Sequence, residues 1–194
     1  MDFEGHIYSL LIVSATEKFN TSIKELLPDF KYYPIQEETN INGAKRALAD
    51  STFDFIIINS PLPDSDGIRF AIDTASEKNA VVLIMVRNEL YNSTFDKISP
   101  YGVYALSKPT SKQIVFQAID WMVCSREKLR RLEKKSLSLE DKMQEIRIVN
   151  RAKWLLISEL KMTETDAHRY IEKQAMDRCI SKRSMAEEII KLYQ

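Results

Sequence analysis

Six polar residues near the C-terminus are of the types that recognise nucleic acid. Arg151 and Lys153, Gln174 and Arg178, and the pair Lys182-Arg183 fall on three successive stretches with helical patterning. If they converge on one face, the cations would hold phosphates. The flat amide of Gln174 would make paired hydrogen bonds to a base edge, the division of labour that RNA recognition needs. A solvated charged face has the same composition, since residues 148–194 hold 9 basic and 7 acidic residues. Residue types alone therefore leave both open. Covalent catalysis finds no support elsewhere: Ser14, Ser60 and His6 show no pairing of nucleophile with base. Cys124 and Cys179 are far apart, and with only His6 and His168 to join them no zinc site is expected. We expect no cofactor and no enzymatic activity.

The elements that position these residues follow from punctuation and charge. All 4 glycines and all 6 prolines precede residue 110, so the tail from Thr110 to Gln194 lacks both chain breakers and reads as helical. Residues 1–124 carry 11 Lys+Arg against 16 Asp+Glu, and residues 125–194 carry 17 against 12. A net charge of zero thus conceals an acidic front and a basic back. The front half alternates. Ile7–Val13, Phe30–Ile35, Phe53–Ile58, Ala80–Val86 and Val103–Leu106 read as strands, with Pro34 suiting an edge position. Glu17–Leu27, Asn40–Ser51 and Asp66–Ser76 read as helices, and a further helix begins the back half. The fold class is α/β: a doubly wound, five-stranded parallel sheet, followed by a long helix and a small three-helix bundle. In such a sheet function gathers at the carboxyl ends of the strands.

Along the long helix Leu129, Leu132, Ser136, Leu139, Met143, Ile146 and Asn150 step by alternating threes and fours, a heptad seam. We expect a parallel coiled-coil homodimer through Leu129, Leu132, Leu139, Met143 and Ile146. A single amphipathic helix lying on its own domain is the alternative. Beyond it, Thr163 to Asp166 and Ser184 to Glu187 read as capping boxes opening two further helices. The apolar face of the last helix is Met185, Ile189, Ile190 and Leu192. Trp121-Met122 is expected to pack the long helix onto the sheet. The longest apolar run, Ala80 to Val86, is far short of the roughly 20 residues of a membrane span. Met1-Asp2-Phe3-Glu4 offers no basic segment of a secretory signal, so a reducing cytoplasm is the expected location.

The segment Asp54-Phe-Ile-Ile-Ile-Asn59-Ser-Pro-Leu-Pro63-Asp-Ser-Asp66-Gly67, with Gly102 and Lys108-Pro109, resembles the phosphoacceptor region of two-component receiver domains. The resemblance covers roughly residues 7–122. It implies a nucleophilic carboxylate at the place of Asn59 and an acidic, Mg²⁺-holding pair at the places of Ser14 and Ala15. It further implies a hydroxyl residue at Met85 and a switch aromatic at Ala105. Only Lys108 remains of that set. We therefore expect a pseudo-receiver, spanning 1–122, without phosphorylation chemistry. The tail, with Ala152-Lys153, Ala167, Tyr170, Gln174-Ala175 and Ala186 before Ile189-Ile190, is similar to the ANTAR domain, a three-helix RNA-binding module of bacterial antiterminators. It departs from that family at Trp154, where glycine is usual. The implied organisation is a coiled-coil linker at 123–147 and an ANTAR domain at 148–194. The function it implies is antitermination, by binding hairpins in a nascent leader RNA, with a sensor protein as regulatory partner. A DNA-binding response regulator, or a protein-interaction adaptor without a nucleic-acid role, are the alternatives.

Overall fold

The computed structural model describes residues 6–77 and 80–193, so the expectation built on Met1 to Glu4 lies outside the described residues. Five strands, β1 (Tyr8–Val13), β2 (Tyr32–Glu38), β3 (Phe55–Asn59), β4 (Val81–Arg87) and β5 (Tyr104–Lys108), form one sheet in the order β2-β1-β3-β4-β5. Every pairing is parallel. The dense apolar runs of β3 and β4 are explained by burial on both faces. Ile56, Ile58, Val82 and Ile84 enter one core cluster, while Phe55, Ile57, Leu83 and Met85 enter the other. Helices α2 (Ile41–Asp50), α3 (Ile68–Glu77) and α4 (Tyr91–Ile98) cover the first face. Helix α1 (Glu17–Lys24) and the start of α5 (Lys112–Leu160) cover the second. The proline-bearing β2 is an edge strand, where the missing N–H of Pro34 costs no ladder bond. Gly67 turns the chain into α3 at φ 77°, where a Cβ would sit 3.0 Å from Ile58.

Several expectations are corrected. Helix α4 was not among the expected elements: it is only eight residues long, and its apolar stripe of Tyr91, Phe95 and Ile98 is set among polar residues. Strand β2 starts and ends later than Phe30–Ile35, and β5 runs on to Lys108. Of the pair expected to pack α5 on the sheet, Met122 is buried and Trp121 is exposed.

The chain divides into two compact units, residues 1–130 and 131–194. The second contains the remainder of α5, then α6 (Glu164–Asp177) and α7 (Lys182–Leu192) around its own core of Ala152, Leu156, Ala167, Ile171, Ala175, Met185, Ala186 and Ile189. The first of the three short helices is therefore the end of α5. Thr163 caps α6 by accepting the Asp166 amide at 3.2 Å, as its capping pattern implies. Helix α7 is capped by Ser181, which accepts the Ser184 amide, so the box read at Ser184 sits one turn too late. Leu192 is exposed and does not belong to the apolar face. With no glycine available, α6 ends on Cys179 at φ 53°, and the Ile180 amide reaches back to the Ala175 carbonyl at 3.0 Å.

Candidate functional site

At the carboxyl ends of the strands, Asn59 is the last residue of β3 and Ser14 follows β1 directly, both buried. Asn59 Nδ2 donates to Ser14 Oγ at 3.0 Å, and that oxygen also accepts the Thr16 amide at 3.1 Å. Lys108, closing β5, donates to Asn59 Oδ1 and to the Ser60 carbonyl at 2.5 Å. The three residues thus satisfy one another in a closed, carboxylate-free network. Burial of the Lys108 amine, with repulsion from Arg87, holds it below the usual lysine range. Of the other positions aligned with receiver chemistry, Ala15 is exposed, Met85 is packed in the core and Ala105 is half-buried. None of these three carries a side-chain oxygen. Among the described residues no three of His, Cys, Asp and Glu come together as a metal site.

Two carboxylates near this segment were not foreseen as structural. Asp64 accepts the amides of Ile41 and Asn42 at 3.0 and 3.1 Å, capping α2 from the loop after β3. These backbone hydrogen bonds, Ile41's first, hold its carboxyl below the usual range. Asp54, just before β3, accepts from Arg126 Nε at 2.8 Å and from the Ser9 amide at 3.0 Å. Burial pushes the Asp54 carboxyl up, but the Arg126 and Ser9 hydrogen bonds outweigh it and the net shift is downward. This pair fixes α5 against the base of the sheet. Its partners are 72 residues apart, so no local pattern announces it.

In the second unit four of the six candidate nucleic-acid residues are paired with carboxylates. Lys153 pairs with Glu164 at 3.0 Å, Arg178 with Glu188 at 2.7 Å and Arg183 with Glu187 at 3.0 Å. Lys182 pairs with Glu172, whose carboxyl it draws below the usual range. Arg151 is exposed, with no side-chain partner among the described residues. Lys153 and Gln174 are half-buried. On α5, Leu129 packs partly on the core of the first unit, whereas Leu132, Leu139, Met143 and Ile146 are each more than half exposed.

Residues 137–190 match the ANTAR domain family. Over 138 residues the chain is 29% identical to the transcriptional regulatory protein PdtaR of Mycobacterium tuberculosis H37Rv, covering 71% of this chain and 67% of that one. The signal receiver domain of an HD-domain-containing protein from Pseudomonas fluorescens superposes with a TM-score of 0.59 at 19% identity, covering 68% of this chain and 97% of that one. The chemotaxis response regulator CheY4 of Vibrio cholerae does so at 0.52 and 16%, covering 60% and 98%. At such identities the likeness is one of fold, and it reproduces the five-stranded parallel sheet described above. The chain therefore joins an N-terminal receiver-like domain to a C-terminal ANTAR domain.

Proposed function

We propose that this protein is an RNA-binding transcription antiterminator that grips hairpins in a nascent leader transcript and so prevents a competing terminator from forming. The work comes from binding one RNA fold over another, so no catalysis and no cofactor are needed. The observation that carries the reading is the ANTAR match over 137–190, which falls on a three-helix unit with its own core. The relation to a transcriptional regulatory protein agrees with it. Arg151, Lys153, Arg178, Lys182 and Arg183 would meet phosphates, four of them by exchanging a carboxylate for a phosphate, and Gln174 would read a base edge. The receiver-like domain would act without phosphorylation, since Asn59 offers an amide where a nucleophilic carboxylate is needed and its two polar ends are already bonded. Control would then come from a protein partner.

The division into a pseudo-receiver at 1–122, a coiled-coil linker at 123–147 and the ANTAR domain at 148–194 belongs to the same proposal. So does parallel homodimerisation through the exposed leucine seam, whose apolar side chains gain by burial against a second copy. Electrophoretic mobility of a hairpin-RNA pool against duplex DNA of matched length is the test. Retention of hairpins alone supports the reading. Preference for duplex indicates a DNA-binding regulator, and retention of neither indicates a protein-interaction adaptor, which the carboxylate pairing of four cations would suit. For the seam, Leu132→Asp with Leu139→Asp should sediment as monomer with the first unit folded; a persisting dimer places the contact elsewhere.

A further inference from the structure

Trp154 is 71% exposed although it lies on a helix whose other side, through Ala152 and Leu156, builds the core of the second unit. The indole is therefore not spent on packing within the unit. Its neighbours on the same strip of α5, three and seven residues earlier, are Arg151 and Arg147, since about 3.6 residues make a turn. Both arginines are exposed and, unlike Lys153, Arg178, Lys182 and Arg183, neither has a carboxylate partner among the described residues. No acidic residue interrupts the strip from Met143 through Arg147, Arg151 and Trp154 to Ser158. A flat aromatic surface beside uncompensated guanidinium groups is complementary to a base with its phosphates. It suits an unpaired base, whose face is open, and not one inside a duplex.

We propose that Trp154 is the base-stacking residue of the RNA interface, taking one unpaired loop base on its indole face while Arg151 and Arg147 hold the flanking phosphates. This rests on the RNA-binding reading above and assigns the contact that distinguishes loop from stem. The strip adjoins Asn150 at the end of the leucine seam, so burial against a second copy of the chain is the competing fate of the indole.

The experiment uses the full chain and the hairpins that it retains from an RNA pool with one stem and randomised loops. Trp154→Ala should weaken binding of those hairpins about 5- to 100-fold, the range a lost base–aromatic stack produces. Trp154→Phe should recover most of it. In a Trp121→Phe background, hairpin addition should quench the fluorescence of Trp154. Replacing the loop nucleotides by abasic ones should abolish both the quenching and the penalty of Trp154→Ala. Wild-type affinity in Trp154→Ala, or quenching that survives the abasic loop, overturns the proposal. So does a change in sedimentation of Trp154→Ala without RNA, which would place the indole between copies. If the wild-type chain retains no hairpin from the pool, it is the RNA-binding reading itself that falls.

Discussion

The ion pairs Asp54–Arg126 in the first unit and Lys153–Glu164 in the second are alike in length, 2.8 and 3.0 Å, and unlike in setting. Both side chains of the first pair are about one-sixth exposed, at 15% and 16%, whereas in the second pair Lys153 is equally covered, at 16%, and only Glu164 is exposed, at 77%. Removing one partner of the first pair strands a desolvated charge, while in the second pair the carboxylate already faces water and returns to it at little cost, leaving only the lysine to find a new partner. The contrast extends to the surroundings. In the first unit the buried Asn59, Ser14 and Lys108 bond to one another. In the second unit four cations, Lys153, Arg178, Lys182 and Arg183, are held by carboxylates that a phosphate could displace. The first arrangement serves architecture, and the second suits ligand exchange.

The largest effect should come from breaking the buried pair. Arg126→Ala should lower the stability of the first unit by about 2–4 kcal/mol in urea unfolding, because the Asp54 carboxylate is left without its guanidinium. A loss no larger than that of Glu164→Gln would break the comparison. The pair also sets a pH dependence. The Asp54 carboxyl is held below its ordinary value when folded, so its stabilisation is present above about pH 4 and is lost as pH falls through the lower folded value. The stability difference between wild type and Asp54→Asn should accordingly shrink below about pH 4.

A smaller effect, of opposite sign, is expected at the end of α6. Cys179 holds a left-handed conformation that costs a side-chain-bearing residue about 1 kcal/mol. Cys179→Gly should relieve most of that strain and raise the melting temperature of the second unit; a drop would show that the thiol packs usefully.

At the second pair, whose carboxylate is exposed and whose lysine is largely covered, Glu164→Gln should cost about 1 kcal/mol or less, well below the loss from Arg126→Ala. It should tighten hairpin-RNA binding by freeing Lys153. Lys153→Ala should weaken that binding and flatten its salt dependence by about one counterion. Should Glu164→Gln instead destabilise the unit strongly, the pair is structural after all. For Asn59→Asp the expected effect is none: incubation with a small-molecule phosphodonor and Mg²⁺ should leave the intact mass unchanged. Ser14 and Ala15 supply no carboxylates for the metal. A gain of one phosphate would make the first unit a switch rather than a scaffold.

What could be read from residues in order was set by local spacing. Absence of glycine and proline after residue 109 dictated helix through the tail, and β-branched runs dictated strands covered on both faces. Threonine at 163 marked its helix correctly because a cap acts over three residues. Where the local signal was short or duplicated, as for the two turns of α4 or for Ser181 against Ser184, it failed.

Tertiary structure alone decided the partnerships. Lys108 meets Asn59 across 49 positions of chain, and Arg126 meets Asp54 across 72. Lys153, Arg178, Lys182 and Arg183 find carboxylates on neighbouring helices or one turn away. Periodicity fixes which side of a helix a residue occupies, because that depends on φ and ψ of its immediate neighbours. Which charge faces it across the gap depends on how elements distant in sequence pack, and that is settled by burial of the apolar faces, to which the charges are incidental.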